Sequence, residues 1–96
     1  MTIKILESAQ EDLLQGYFFY EDQEPGIGVY FFDTLTAEID SIVLYAGIHP
    51  IHCGYHRMLS ARFPFAIYYR VEDNAVVVRA VLDCRQDPGV IKDRLT

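Results

Sequence analysis

From Phe65 to Leu82 apolar residues recur at every second position, the spacing of β-strands. Phe65, Ile67, Tyr69 and Val71 alternate with Ala66, Tyr68 and Arg70. Val76, Val78, Ala80 and Leu82 then alternate with Val77, Arg79, Val81 and Asp83. Glu72-Asp73-Asn74 divides the two runs as a hairpin turn, with Asn74 suited to a positive φ. Upstream, His56 to Arg62 reads as one more strand, and Pro64, which cannot donate a ladder hydrogen bond, marks the start of the next. Taking the odd positions of the middle strand and the even positions of the last as core predicts an opposite face bearing Tyr68, Arg70, Arg79 and Asp83, with Arg57 and Arg62 at the ends of the first strand. Such a face is either ordinary solvated surface or a surface that recognises something anionic.

The first half of the chain has a different period. Thr2 to Leu6 is a short β-prone run with Ile3 and Ile5 on one side and Lys4 on the other. Ser8, with Glu11 three residues on, predicts a capping box and a helix lasting to about Asp22. Leu13, Leu14, Tyr17, Phe18 and Tyr20 form its apolar stripe, with Phe19 on the far side and Gly16 weakening the helix slightly. Pro25 and Gly26 break that helix, and a second runs from about Gly28 to Tyr45, with Phe31, Phe32, Leu35, Ile39, Ile42 and Val43 on one face. Two helices joined this tightly make an antiparallel hairpin that can cover a sheet. Phe19, Tyr30 and Leu44 fall off the stripes, either as single exposed apolar residues or as parts of a partner-binding surface. Ala46 to His56 reads as a loop. After the strands, Asp87 as N-cap and Pro88 at the first helical position open a last short helix to Leu95, docked by Val90, Ile91 and Leu95 with Lys92, Asp93 and Arg94 mostly exposed. The fold class expected is α+β in a single domain of residues 1–96: an N-terminal strand, a two-helix hairpin on a mainly antiparallel sheet of about four strands, and a short C-terminal helix.

Charge narrows what such a domain can do. The net charge is −6, but residues 1–48 hold nine acids and one base, whereas residues 49–96 hold five acids, seven bases and all three histidines. The whole chain repels nucleic acid at long range, so non-specific DNA binding is not expected, while a local region can still attract an anion. No apolar run is long enough to span a membrane and the amino-terminal stretch lacks a signal-peptide core, so the expected location is the cytoplasm, with Cys53 and Cys84 reduced. His49, His52, Cys53 and His56 cluster in sequence, but zinc sites usually draw four ligands from two separated pairs, and no second pair exists; no metal or cofactor is expected.

Specific residues then resemble a known family. Tyr20-Glu21-Asp22-Gln23, Pro25-Gly26-Ile27-Gly28 and Phe31-Phe32 are similar to the helical hairpin of RelE/ParE toxins. So are His49-Pro50, Gly54 to Leu59, Arg62 to Tyr69, and the closing Val78 to Pro88 with its arginine-aspartate-proline ending. The resemblance spans almost the whole chain and is closer to ParE-like members. It implies the toxin of a type II toxin–antitoxin, or plasmid-stabilisation, module that a small cognate antitoxin neutralises. Two activities occur on this fold: ParE-like members poison DNA gyrase, and RelE-like members cut mRNA in the ribosome. The second needs a proton acceptor, cations for the phosphorane and an acid for the leaving oxygen. The resemblance also implies a strongly basic chain and a terminal tyrosine or histidine for that chemistry, whereas this chain is acidic and Asp83 to Thr96 contains neither.

The first reading is therefore a ParE-like inhibitor that binds gyrase without catalysis. It uses Arg57, Arg62, Tyr68, Arg70, Arg79 and Arg85 for an anionic ligand or target, and Phe19, Tyr30 and Leu44 for the antitoxin. The alternatives are a ribosome-dependent mRNA endoribonuclease using Arg62, Arg79 and Arg85 with His56 or Asp83 as base, and a non-toxic member that only binds its antitoxin.

Overall fold

A computed structural model describes residues 1–96. The chain runs β1 (Thr2–Ile5), α1 (Glu7–Gln23), α2 (Ile27–Ser41), a 3₁₀ turn (Ile42–Leu44), β2 (Ile51–His52), β3 (Tyr55–Leu59), β4 (Phe65–Glu72), β5 (Ala75–Asp83) and α3 (Pro88–Leu95). The strands make one sheet in the order β1-β5-β4-β3-β2, with β1 parallel to β5 and every other pair antiparallel. The α+β class, the hairpin and the terminal helix are as expected. The sheet has five strands rather than four, because Ile51 and His52 fold back on Tyr55 and His56 through Cys53 and Gly54, both at positive φ. The first of the three long strands ends at Leu59, and Ser60 to Pro64 turn outside it, so Arg62 is not a strand residue.

The hairpin packs on one face of the sheet. Phe31, Leu35 and Ile39 from α2, Ile42 from the 3₁₀ turn, and Ala9 and Leu13 from α1 meet Phe65, Ile67, Tyr69, Val76, Val78 and Val81. Ile3 and Ile5 join this core, as their alternation predicts. Gly16 and Gly28 let the two helices approach: a Cβ on Gly16 would lie 2.4 Å from the Phe31 ring, and one on Gly28 would lie 2.6 Å from the Tyr17 carbonyl oxygen. This contact rotates α1 relative to its expected stripe. Ala9, Asp12, Leu13 and Gly16 are the buried positions, whereas Leu14 and Phe18 are 50% and 59% exposed. The capping box does not form either. Leu6 is the N-cap of α1, and Ser8 sits inside the first turn with its hydroxyl turned to Arg79. The N-terminus of α2 is satisfied instead by Glu21 of α1, whose carboxylate accepts from the backbone N–H groups of Gly26 (3.0 Å) and Gly28 (2.9 Å).

A bulge divides β5. Tyr69 pairs with Val78 and Tyr68 with Ala80, leaving Arg79 as the extra residue. Before it, Val76 and Val78 face the hairpin; after it, Val81 does, while Ala80 and Leu82 turn to the other face. The expected even-numbered core of this strand therefore holds only up to Val78, and Asp83, paired with Phe65, lies on the hairpin side rather than with Arg70. The far face is not open throughout. Ile91 and Leu95 of α3 cover Ala66, Tyr68, Ala80 and Leu82 in a second small core, so Tyr68 is buried. Asp87 caps α3 by accepting from the Gly89 N–H at 2.7 Å, as expected, but Val90 is exposed and takes no part in docking. Arg94, expected at the surface, donates to both oxygens of the buried Asp12 (2.8 and 2.9 Å), and Asp12 also accepts from Val81 N–H at 3.0 Å. One carboxylate thus ties α1, β5 and α3 together.

Candidate functional site

Beyond α3, the far face of the sheet stays uncovered and carries cations. Arg70, Val77 and Lys4 are register partners across β4, β5 and β1, so their side chains stand in one row. The Arg70 guanidinium lies 4.0 Å from the Tyr55 ring centroid, and its Nε donates to the Gly54 carbonyl at 3.1 Å. Arg79 Nη1 donates to the Ser8 hydroxyl at 3.0 Å. Further along the sheet, Arg57 Nε donates to the Tyr68 hydroxyl at 3.3 Å and its Nη2 to the Cys84 sulfur at 3.7 Å. The Tyr68 bond is the main cause that raises the Arg57 pKa. Four of the residues expected to meet an anion, Arg57, Tyr68, Arg70 and Arg79, therefore share this face, with Tyr68 buried and bonded to Arg57.

Arg62 and Arg85 lie elsewhere. Arg62, in the turn before β4, donates to the Tyr30 hydroxyl of α2 at 3.0 Å. Arg85 grips Asp83 with Nε (3.0 Å) and Nη2 (2.7 Å), and its own backbone N–H adds a third bond at 2.8 Å. The side-chain bonds from Arg85 hold the Asp83 carboxyl below the usual carboxylate range. A carboxylate so stabilised is a weaker base. Nearby, burial raises the Tyr20 hydroxyl, opposed by the charge of Arg85. The trio named for the nuclease alternative is thus anchored at three places: Arg62 on α2, Arg79 on α1, and Arg85 at the end of β5.

The histidines of the loop separate as well. His56 stacks on Tyr69 on the hairpin side of the sheet (centroids 5.1 Å apart), and its Nδ1–H donates to the His49 carbonyl at 2.7 Å. The Tyr69 hydroxyl accepts from Gly47 N–H at 3.2 Å and bonds Nδ1 of His49. Burial first, and the charge of His56 second, push the His49 pKa down. His52, at the end of β2, and Cys53, in the turn that follows, are exposed, and no three His, Cys, Asp or Glu side chains come together as a group able to hold a metal ion.

The aromatic residues expected to bind a partner do not form one patch. Phe19 borders a groove shared with Asp12, Asp83 and Arg94; Tyr30 is engaged by Arg62 and packs on Phe63; Leu44 stands 74% exposed on the 3₁₀ turn. A contiguous apolar groove lies instead on the outer face of the hairpin, about 250 Å³ in volume and lined by Leu14, Tyr17, Phe18, Val29, Phe32 and Asp33. Four of these residues, Leu14, Tyr17, Phe18 and Phe32, fall on the helix stripes expected to face the sheet. The signals that mark the groove are the two close-contact glycines, which move the buried face of α1, and the lack of any Lys, Arg or His between Glu7 and Ser41.

No protein-family model matches the chain, and no curated protein matches it. Among solved structures, the chain is similar to one from the chromosomal ParDE toxin–antitoxin system of P. aeruginosa, with a TM-score of 0.75 and 19% sequence identity. The match covers 84% of this chain and 92% of that one. This protein therefore has the fold of that ParDE component, the architecture expected of RelE/ParE-like toxins.

Proposed function

We propose that the chain is the toxin of a type II toxin–antitoxin module of the plasmid-stabilisation kind, acting in the cytoplasm as a ParE-like inhibitor that binds DNA gyrase without chemistry of its own. The fold shared with a chain of a ParDE system carries this reading. The side-chain geometry supports the ParE-like branch. Arg62, Arg79 and Arg85 are bonded to three different elements, Asp83 is neutralised by Arg85, and His56 stacks on the face opposite Arg79. Transfer of a 2′-hydroxyl proton with phosphorane stabilisation requires a base and cations around one phosphate, which this dispersal disfavours.

The cognate antitoxin would lie on the hairpin. A groove with five apolar linings, on helices that carry acids and no base, fits an amphipathic helix with a cationic rim. Helix in groove is a mode in which apolar anchors supply affinity and rim charges supply register.

The test is to induce the chain in a bacterial host and assay purified protein on gyrase. The expected result is a growth defect with filamentation, inhibited supercoiling and intact mRNA, all relieved by the product of an adjacent short antitoxin gene. Ribosome-dependent mRNA cuts that vanish in Arg62→Ala would replace this reading with the nuclease one. Antitoxin binding without any growth defect would leave a non-toxic family member.

A further inference from the structure

The uncovered end of the far sheet face is a hollow of about 350 Å³ between β1, β4 and β5, lined by Lys4, Tyr55, Arg70, Glu72, Val77 and Arg79. Val77 forms its floor. Lys4 and Arg70 rise from the strands on either side, about 10 Å apart at the backbone from two strand spacings. Arg79, the bulged residue, closes one end. The protein has two ion pairs, Arg85 with Asp83 and Arg94 with Asp12, so none of the three cations of the hollow is paired. Glu72 lines the hollow but reaches none of the cations within ion-pair distance.

Both arginines are held in place before any ligand arrives. Arg70 uses Nε on the Gly54 carbonyl and lays its plane on Tyr55; Arg79 uses Nη1 on Ser8. The remaining guanidinium N–H groups and the Lys4 ammonium have no protein acceptor, and their positioning lowers the entropy lost on binding.

We propose that this hollow binds a carboxylate from an acidic segment of a protein partner. The inference rests on the reading of the chain as a protein-binding module, and it names a second contact distinct from the hairpin groove. An oxyanion is the only simple ligand that satisfies two preset guanidinium edges and an ammonium together. A carboxylate suits the site better than a nucleic-acid phosphate because Arg70 already lies over the Tyr55 ring, 4.0 Å from its centroid, leaving no platform there for a base to stack on.

The experiment is an NMR titration that follows the arginine Nε–Hε resonances of Arg70 and Arg79 in the intact chain. Three probes are used: an acetylated peptide of alternating Asp and Glu, inorganic phosphate, and a single-stranded oligonucleotide of equal charge. The peptide should shift both resonances, and Lys4→Gln or Arg70→Gln should each weaken it about tenfold, with Lys92→Gln on α3 unchanged. Raising salt should weaken it further. Lys4 is exposed at an edge strand, so Lys4→Gln is expected to fold even if Arg70→Gln does not. Unmoved resonances, or Gln variants that bind like the parent, would overturn the proposal. Stronger shifts with the oligonucleotide would replace the protein partner by nucleic acid, and equal shifts with inorganic phosphate would reduce the site to one for free anions. None of these readouts depends on toxicity or gyrase, so a failure here is separable from a failure of the toxin reading.

Discussion

Replacing Arg94 by methionine tests how the C-terminal helix is held. The Asp12 side chain is 6% exposed and has three protein donors, two from Arg94 and one from Val81 N–H. Arg94→Met keeps the aliphatic stem but leaves a buried carboxylate with one donor. Removing one partner of a fully buried pair costs about 3–5 kcal/mol. The Arg94 side chain is 35% exposed, so water can enter in its place, and a loss of about 2–3 kcal/mol follows. For a domain of this size that corresponds to a fall in Tm of roughly 10–20 °C.

The double variant Asp12→Leu with Arg94→Met removes the stranded charge and substitutes apolar packing. It should recover much of the loss, although Val81 N–H then lacks an acceptor at about 1–3 kcal/mol. Urea unfolding of the two singles and the double, read as a double-mutant cycle, should give a coupling above about 1 kcal/mol. An Arg94→Met protein within about 0.5 kcal/mol of the parent would refute the argument. It would mean that Asp12 is well solvated and that Ile91 and Leu95 alone dock α3.

Gly28→Ala places a methyl against the Tyr17 carbonyl oxygen, which is backbone and cannot swing away, so it should destabilise by about 1–3 kcal/mol despite the better helix propensity of alanine; a thermal melt equal to the parent would refute the close helix contact. His49 has its folded pKa pushed below the ordinary value near 6.5, so the unfolded chain takes up the proton first. Stability should be full above pH ~6.5, decline as pH falls through that value, and level off below the folded pKa; urea midpoints across this window should flatten in His49→Gln. Leu14→Ser with Phe18→Ser alters exposed side chains and should leave Tm nearly unchanged while abolishing co-purification with the proposed antitoxin; retained co-purification would remove the hairpin groove from the proposed interface. Ser8→Ala removes both bonds to Arg79 and should cost about 1 kcal/mol, measured by the same urea midpoints.

The order of elements was legible because each rests on local chemistry. The Asp73-Asn74 turn has both residues at positive φ, Asp87-Pro88 starts a helix, and Pro25-Gly26 parts two others. The rotation of α1 was not legible from its own residues. Leu14 and Phe18 are as hydrophobic as Leu13, and only the opposing Phe31, seated against Gly16, decides which side is buried. The Asp12–Arg94 pair spans 82 positions and has no local signature. Leu6 as N-cap shows the same limit from the other side: Ser8 fitted a capping pattern, yet its hydroxyl found a better partner 71 residues away.

The bulge at Arg79 has the widest consequence for the site. A strand of strict period two would place Arg79 and Asp83 on one face, and the acid would then neutralise the very cations that make that face attractive to an anion. One extra residue reverses the phase beyond it. Asp83 moves to the hairpin side, where Arg85 binds it, and Arg79 stays with Arg70 and Lys4 beside a floor of Val77. Ser8 holds the irregular residue by accepting from its guanidinium and donating to its carbonyl, so a helix residue fixes the phase of a strand. The separation of charge across the sheet is therefore a product of backbone geometry, and loss of the Ser8 bonds should loosen the cationic hollow along with the strand.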